Sequence, residues 1–416
     1  MPVFMTETDA HQELRRHARD FAREEITPRL GRIERPGAVE AEIVQMMARL
    51  GWVGAAVPTK WHGTGLGHLA KTILLEEISL ASPAMGAALQ AAQLGAATLL
   101  HYGSEAQLRD WMPPIVAGEC LPTIAVTEEE SGGHVLDMRA TGRRDGDHWV
   151  LTGRKTYIGN SHLTDVIGVV VRTAAPSASA GSRALSAFWV ETKRPGVRRV
   201  PYRPARVLHG FSFGDLVFED VRVPAANMIG DEGDGLDVAY AASILAGRPN
   251  LAAVALGIHR ALLDETVAFT RARQRYGEPL ADHPVIRQRI GQIRARLMGA
   301  RASAYQAVHL LDHARPSDTD LINAKLQAAS TVRASADDAM LAHGAAAFRT
   351  DRRIGQLAQD ALAMDPPAGT ADVQRHRLAE DALGTDHRPY SVRLADRVAL
   401  HPLPAPPADT GSGHAS

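Results

Sequence analysis

Apolar residues recur with helical spacing over about the first 120 positions of the chain. Between residues 11 and 26, Leu14, Ala18 and Phe21 fall on one stripe and charged residues occupy the other faces, which predicts an amphipathic helix. Pro28 follows and ends or bends that helix. Three more helical stretches come next: AVEAEIVQMMARLGW, HLAKTILLEEISLAS and AMGAALQAAQLGAATLLHYG. We therefore expect a helical N-terminal domain over residues 1–120.

The pattern changes to short β-type runs at about residue 121. These runs are rich in β-branched and aromatic residues and are separated by Gly, Asp or Pro turns: HWVLTGRKTYI, DVIGVVVRT, ALSAFWVETK and DLVFEDVRVP. The segment AAPSASAGSR at 174–183 is typical of a flexible hairpin loop. About 110 residues suit a small barrel or sandwich, so we expect a central β domain over residues 121–234.

Long helical stretches return after about residue 235. NLAAVALGIHRALLDETVAFTRARQRYG places Ala252, Leu256 and Leu263 on one face and is long enough for a helix of a bundle. Two further long stretches and two shorter ones follow it. We expect a C-terminal helical bundle over 235–390 and a disordered tail over 391–416, where Pro, Gly, Ser and Ala dominate. The predicted fold class is α+β.

Composition and charge narrow the classes of function. A formal net charge of −1 and a pI of about 7.0 provide no field for nucleic acid or an anionic membrane. No long apolar run suggests a membrane span. The single Cys120 cannot form an internal disulfide, and the eighteen histidines show no metal-ligand spacing, so we expect no metal site. The start of the chain is no signal peptide, and we expect a cytoplasmic protein.

The stretch IAVTEEESGGHVLDMRATGRRDGDHWVLTGRKTYIGNS at 124–161 carries the most information about function. One interpretation is two hairpins of a β domain. The other is a wall for a planar, phosphate-bearing cofactor. Backbone N–H groups at Val126 and Thr127 could bond a ring edge, Gly132 and Gly133 would let the backbone approach a pyrophosphate, and Tyr157 could stack on a ring.

Several separated segments, in order from about residue 8 to 386, resemble the acyl-CoA dehydrogenases, a family of FAD flavoproteins that act on acyl thioesters. The segments are FAREEITPRL, WHGTGLG, AVTEEESGG, DGDHWVLTGRKTYIGN, LVFEDVRVPAANMIGDEGDGL, GRPNLAAVALGIHRALLDE, FTRARQRYGEPL and AGTADVQR. The resemblance implies a helical N-terminal domain, a central β domain and a C-terminal four-helix bundle. FAD would lie between the β domain and the bundles of two subunits.

The resemblance also implies roles for individual residues. Thr127 would meet the flavin edge and Tyr157 would pack near its face. Arg273 and Tyr276 would reach the FAD of a neighbouring subunit, Thr370 would lie close to FAD phosphate or ribityl atoms, and Arg248 would lie near the thioester pocket.

The chain departs from the family at the catalytic base. In most relatives a carboxylate stands immediately before the Gly-Thr of AGTADVQR, and here that residue is Ala368. Other relatives carry the base just before the Arg of the GR pair, and here that residue is Gly247. Asp365 is a weak candidate for a substitute base. The backbone N–H of Ala368 remains, and the family uses it to polarise the thioester carbonyl.

The family's cofactor contacts have drifted as well. Gly133 stands where a Ser usually bonds the pyrophosphate, and Gly159 occupies a position often held by a flavin-contacting Thr. Leu341 and Ala345 stand at the usual contacts with the neighbouring subunit's FAD. We therefore expect FAD binding to be weakened across the subunit contact but not abolished.

Three functional hypotheses remain open. The first is an FAD-dependent oxidoreductase that acts on an acyl thioester of coenzyme A or of a carrier protein, with weakened α,β-dehydrogenation. The second is a flavin-dependent monooxygenase on the same fold, and the third is a base-lacking subunit of a hetero-oligomeric acyl-CoA dehydrogenase. We expect a homodimer or homotetramer or a hetero-oligomer, an unidentified electron acceptor, and a specialised biosynthetic role.

Overall fold

Helices form the N-terminal part of the chain. The computed structural model describes residues 7–174, 181–385 and 389–400. The helices of this part are α1 (Asp9–Phe21), α2 (Leu30–Ile33), α3 (Ala41–Arg49), α4 (Gly67–Ala81), α5 (Pro83–Tyr102) and α6 (Glu105–Val116). Thr8 begins α1 as its N-cap, and Gly51, with φ +75°, follows the end of α3 in the left-handed conformation common after a helix. Helix α5 is largely buried because small residues line it on all sides.

Strands form the middle of the chain. They are β1 (Pro122–Ala125), β2 (Thr141–Asp145), β3 (His148–Gly159), β4 (Val166–Arg172), β5 (Leu185–Glu191), β6 (Val197–Arg199), β7 (Phe213–Pro224) and β8 (Met228–Ile229). The sheet order is β6-β7-β3-β2-β4-β5-β8, and β1 pairs with β4 in parallel. A single pair, Thr141 with Arg172, joins β2 to β4. The strands on the two sides of this pair, β6-β7-β3-β2 and β4-β5-β8, share a buried core. That core includes Trp149, Leu151 and Phe188.

The C-terminal part is again helical. Its elements are α7 (Gly235–Ala241), α8 (Arg248–Ala272), the short hairpin of β9 (Gln274–Arg275) and β10 (Glu278–Pro279), α9 (Pro284–Asp312), α10 (Asp318–His343), α11 (Arg353–Leu362) and α12 (Ala371–Ala382). A π-helical segment, Ala242–Gly247, connects α7 to α8. Helices α8, α9, α10 and α11 pack on one another as a bundle. The predicted α+β architecture of helical domain, β domain and helical bundle is confirmed.

The prediction of disorder is wrong for the first part of the 391–416 tail. Helices α13 (Tyr390–Arg393) and α14 (Ala395–Val398) occupy this segment. Asp318 accepts hydrogen bonds from the backbone nitrogens of Tyr390 (3.0 Å) and Ser391 (2.9 Å), and Val398 is buried. These anchors hold the segment, and residues 390–398 contain no Pro or Gly, unlike the remainder of the tail. Residues 401–416 and 175–180, which belong to the predicted tail and hairpin loop, lie outside the described residues.

Among the described residues, one stretch, Gly235–Ala272, is long and apolar enough to cross a membrane by length and composition alone. Within the protein, 89% of its most apolar window is buried, as in the core helix of a soluble bundle. Its apolar surface is therefore covered by neighbouring helices.

A buried network of charges joins the N-terminal helices to the bundle. Glu77 on α4 accepts a hydrogen bond from Arg15 of α1 (2.6 Å) and lies 3.0 Å from Arg260 of α8. The neighbouring Glu76 accepts from the hydroxyl of Tyr305 on α9 (2.5 Å). Burial of unpaired carboxylates would be costly, so these pairs fix how the four helices pack.

Candidate active site

The loop between α11 and α12 places Ala368 in a constrained backbone conformation. Ala368 has φ +56° and Gly369 has φ +93°. Residues other than Gly rarely adopt this left-handed backbone region. The carbonyl of Ala368 accepts hydrogen bonds from Nε of Arg248 (3.3 Å) and Nε2 of Gln374 (3.0 Å). Two elements, α8 and α12, thus hold this residue in place.

Lys325 of α10 anchors the same loop through its side chain. Its Nζ donates to the carbonyls of Asp365 (2.5 Å) and Gly369 (2.6 Å). The side chain is buried, and burial lowers the pKa of Lys325 to about 8. Sequence reasoning missed this residue. The available signal was that it is one of only five lysines in an arginine-rich chain, inside a helix otherwise rich in Ala.

Gly247 and Ala368, the two positions at which the resemblance leads us to expect a base, lie next to each other. A Cβ atom added to Gly247 would lie 3.5 Å from Cβ of Ala368 and 3.7 Å from Cδ1 of Leu94. A side chain from either residue would therefore enter the same space. In this chain neither residue carries a carboxylate, and the space holds no general base from either element.

Arg248 begins α8 directly after Gly247 and is buried. Its NH1 atom is buried and has no hydrogen-bond partner among the described residues. Burial lowers the pKa of Arg248 to about 10, a value at which the guanidinium stays charged at neutral pH. The site therefore holds a buried cation that is available to a bound polar or negatively charged group.

Asp365, the weak candidate for a substitute base, supports the loop instead. Its Oδ1 accepts a hydrogen bond from the backbone nitrogen of Ala371 (3.0 Å) at the start of α12. Thr370 is the N-cap of the same helix and accepts from the backbone nitrogen of Val373 (3.5 Å). Both side chains are thus engaged in starting α12, and the Asp365 carboxylate is directed at the backbone.

The β domain contributes an exposed aromatic surface. Tyr157 is 59% exposed and stacks on Phe213, with ring centres 5.6 Å apart. Phe211 stacks on Phe213 in turn, at 6.1 Å. A Cβ atom on Gly159 would lie 2.9 Å from Ala91 and 3.0 Å from Phe211. The phenyl ring of Phe211 therefore occupies the space that a larger residue at 159 would need, which explains the Gly at this position.

The loop after β1 has free space beside the backbone of Gly132 and Gly133. Gly133 has no heavy atom within 4 Å of its added Cβ, and Gly132 has only Thr127, at 4.0 Å. Val126 accepts a hydrogen bond from Nζ of the buried Lys155 (2.9 Å), and Thr127 accepts one from the backbone nitrogen of residue 156 (2.9 Å). The loop is thus fixed at its start and has room for a ligand at its glycines.

Glu128 has a structural role in holding this loop. Its carboxylate accepts from Nζ of Lys155 (2.8 Å) and from the backbone nitrogens of Arg139 (2.6 Å) and Ala140 (3.0 Å). Burial opposes ionisation, but the charge of Lys155 and these hydrogen bonds lower the pKa of Glu128 below its usual value. The neighbouring Glu129 and Glu130 are exposed.

A second region lies on the bundle, in a cavity of about 920 Å³. Five arginines and a single acidic residue line it together with apolar groups: Arg273, Arg275, Arg349, Arg352, Arg353 and Glu265. Leu341 and Ala345 lie in the same lining. Tyr276 is 97% exposed at the tip of the β9–β10 hairpin, where its φ is +52°. Arginine forks of this kind suit a diphosphate.

The chain belongs to the acyl-CoA dehydrogenase family. Three family models match it in succession: the N-terminal domain over residues 8–119, the middle domain over 123–221 and the C-terminal domain over 233–383.

Individual relatives match the chain over nearly all of its length. It is 31% identical to the glutaryl-CoA dehydrogenase of Desulfococcus multivorans over 392 residues, which are 93% of this chain and 98% of the relative. It is 30% identical to a 3-(aryl)acrylate reductase of Clostridium sporogenes over 378 residues, which are 90% of this chain and 99% of the relative. The solved structure of butyryl-CoA dehydrogenase from Megasphaera elsdenii is similar, with a TM-score of 0.87 and 26% identity. The match covers 92% of this chain and 100% of that chain.

The protein is therefore an acyl-CoA dehydrogenase-like flavoenzyme, and its cofactor is FAD. Its residues fit that cofactor. The arginine-lined cavity suits a diphosphate, and the exposed Tyr157–Phe213 pair offers a surface for a planar ring. When bound, FAD supplies the acceptor for a hydride.

Proposed function

We propose that this enzyme acts on an acyl thioester but is a poor catalyst of ordinary α,β-dehydrogenation. The observation that carries the proposal is the shared space between Gly247 and Ala368, where neither position supplies a carboxylate. Loss of a general base costs about 10²–10⁴ in rate. A saturated acyl chain, whose α proton is weakly acidic, would react slowly in this site.

Binding and polarisation of a thioester do not need the missing side chain. The backbone N–H of Ala368 is an oxyanion-type donor, and Arg248, Gln374 and Lys325 hold the loop that presents it. Because this loop is fixed by three side chains, its geometry does not depend on residue 368 being a glutamate. These contacts support retention of the thioester-binding half of the mechanism.

The substrates that fit this chemistry are those that need a weaker base. An acyl group that is already unsaturated or bears a heteroatom has a more acidic proton or needs none to be removed. Relatives named glutaryl-CoA dehydrogenase and 3-(aryl)acrylate reductase support a thioester or an acrylate-type acid as the substrate class. The carrier is coenzyme A or a carrier protein, and we place the reaction in the cytoplasm.

The cofactor contacts support a site shared between subunits. Thr127, Gly132, Gly133, Tyr157 and Thr370 would contact FAD from its own subunit. Val126 and Gly159 belong to the same wall. In a homodimer or homotetramer, Arg273 and Tyr276 would reach the FAD of the neighbouring subunit from the arginine-lined cavity.

One observation favours the hetero-oligomer as the second candidate. Leu341 lines the arginine-lined cavity and is 63% exposed, and Phe348 nearby is 81% exposed. An apolar side chain makes no hydrogen bond to a cofactor, and exposed apolar groups mark contact surfaces. A partner subunit with its own base would complete such a site.

The test is to purify the protein alone, record its visible spectrum and titrate it with thioesters. We expect a flavin spectrum that shifts when butyryl-CoA binds but bleaches slowly or not at all. Rapid bleaching would contradict the proposal of a lost base. Oxygen consumption with an added reductant would support the monooxygenase alternative. A colourless protein that takes up no FAD would support the hetero-oligomer.

A further inference from the structure

Helices α5 and α8 face each other along a seam that begins at the vacant base position. A Cβ atom added to Gly247 would lie 3.7 Å from Cδ1 of Leu94 on α5. One helical turn further, Asn250 of α8 donates from Nδ2 to the backbone carbonyl of Gln90 on α5 (3.4 Å). Residues three or four apart lie on the same helix face. Gly247 and Asn250, and likewise Leu94 and Gln90, thus line one continuous seam.

The far end of this seam holds polar atoms that the protein leaves without partners. Oδ1 of Asn250 and Oε1 of Gln90 are both buried and have no hydrogen-bond partner among the described residues. Asn250 is completely buried, with no exposed surface. Leaving a buried amide group unpaired is unfavourable, and in native proteins such groups are normally satisfied by protein, water or ligand.

The spacing along α8 indicates where these two amides would lie relative to an acyl chain that reacts at the proposed base position. A helix rises 1.5 Å per residue, so Asn250 lies about 5 Å along the axis from Gly247. The base position marks where the α and β carbons react. An acyl chain that extends along the seam would bring its fourth or fifth carbon to the two amides.

We propose that this enzyme selects acyl thioesters whose chain carries a hydroxyl or N–H group at that distance, with Asn250 and Gln90 as the residues that determine specificity. This inference rests on the proposed function and names its substrate class. A plain hydrocarbon chain would leave both amide oxygens, Oδ1 of Asn250 and Oε1 of Gln90, without a donor. A hydroxyl on the chain would donate its one proton to one of these oxygens, and an amino group could donate to both, as in sites built for a polar substrate group.

The experiment compares three thioesters on the FAD-loaded protein by titration calorimetry without oxygen: pentanoyl-CoA, 4-hydroxypentanoyl-CoA and 5-hydroxypentanoyl-CoA. We expect at least one hydroxylated thioester to bind about tenfold more tightly than pentanoyl-CoA, because one unpaired buried polar group costs about that factor in affinity. Asn250→Leu should abolish or reverse the preference. Gln90→Met removes the second amide at similar volume and should weaken the preference if Asn250→Leu does not fold.

Control and contrary outcomes separate this inference from the proposed function. Asn323→Leu, on α10 and away from the seam, where Asn323 accepts only from Gln327 (3.3 Å) among the described contacts, should leave the preference unchanged. Equal affinities within twofold for all three thioesters would overturn the polar-substrate inference alone. A preference that both Asn250→Leu and Gln90→Met retain would also overturn the polar-substrate inference alone. Absence of binding by every thioester would overturn the proposed function as well.

Discussion

At the scale of single residues, the proposed site combines an ordered loop with two residues, Gly247 and Ala368, that carry no carboxylate. Ala368 keeps the left-handed conformation and the carbonyl contacts of the loop, yet its side chain ends at Cβ. Gly247 directs nothing into the same space. Polarisation of the thioester by the Ala368 backbone N–H and removal of the α proton by a side chain are therefore separable. Substitutions can test each one alone.

Asp365 offers a direct test of the substitute-base hypothesis. Its carboxylate accepts from the Ala371 backbone nitrogen, and the amide oxygen of Asn can accept the same bond. We therefore predict that Asp365→Asn leaves the residual turnover of any accepted thioester within about twofold. Steady-state kinetics would measure it. A loss of about 10² or more, the cost of removing a general base, would show that Asp365 serves as the base.

The sequence allowed a hypothesis about the base position but not about the residues that support the site. Ala368 and Gly247 follow from a gapless spacing within a motif. Lys325, Gln90 and Asn250 do not, because their roles depend on contacts between distant parts of the chain. Asn250 and Gln90 are 160 residues apart, and periodicity predicts which face of a helix is buried but not what lies against it.

At the scale of elements, helix α4 connects the N-terminal domain to the bundle through its adjacent glutamates. Burial raises the pKa of Glu77, but hydrogen bonds and charges from Arg19, Arg260 and Arg15 outweigh burial and lower it to about 2. The folded pKa is thus below the unfolded value of 4.5. This contribution to stability is complete above about pH 4.5 and is lost as the pH falls toward 2.

We predict that Glu77→Gln lowers the free energy of unfolding by roughly 3 kcal/mol at pH 7, because buried arginines lose their counter-charge. The difference from the unmodified protein should shrink as the pH falls below 4.5. Thermal unfolding between pH 7 and pH 3 measures both effects. Glu24→Gln, in an exposed pair with Arg23, should change stability by less than about 0.5 kcal/mol. A pH-independent difference for Glu77→Gln would contradict this explanation.

Elements differ in how well the sequence predicts them. The long strands β3, β4, β5 and β7 and the long helices were predictable because their periodicity extends over many residues. The three-residue β6 and two-residue β8 carry no such pattern. The helices at Tyr390–Val398 were missed since their order comes from Asp318 on a distant helix and not from local propensity.

At the scale of the whole molecule, the surfaces that we propose for FAD are exposed on the single chain. The arginine-lined cavity, the projecting Tyr276 and the exposed Leu341 all lie on the bundle. The exposed aromatic pair Tyr157–Phe213 lies on the β domain. Assembly would bring such surfaces together, and the affinity for FAD would then depend on the oligomeric state.

We predict that Arg273→Ala raises the dissociation constant for FAD by about tenfold or more, because it removes a charge-assisted hydrogen bond to phosphate. Titration of the apoprotein with FAD, followed by flavin fluorescence, measures this constant. Arg143→Ala on the exposed face of β2 is the matched control and should not change it. An unchanged affinity in Arg273→Ala would place the diphosphate elsewhere.

The most direct test of the vacant base position is to restore it. Ala368→Glu adds a carboxylate at a residue that already has a Cβ, so it introduces no new backbone strain. Gly247→Glu reaches the same space from the π-helical segment before α8. Both variants and the unmodified protein, loaded with FAD, would be mixed with butyryl-CoA without oxygen while flavin absorbance is recorded. We predict that at least one variant bleaches about 10²–10⁴ times faster than the unmodified protein. Rapid bleaching by the unmodified protein, with no gain in either variant, would contradict the account.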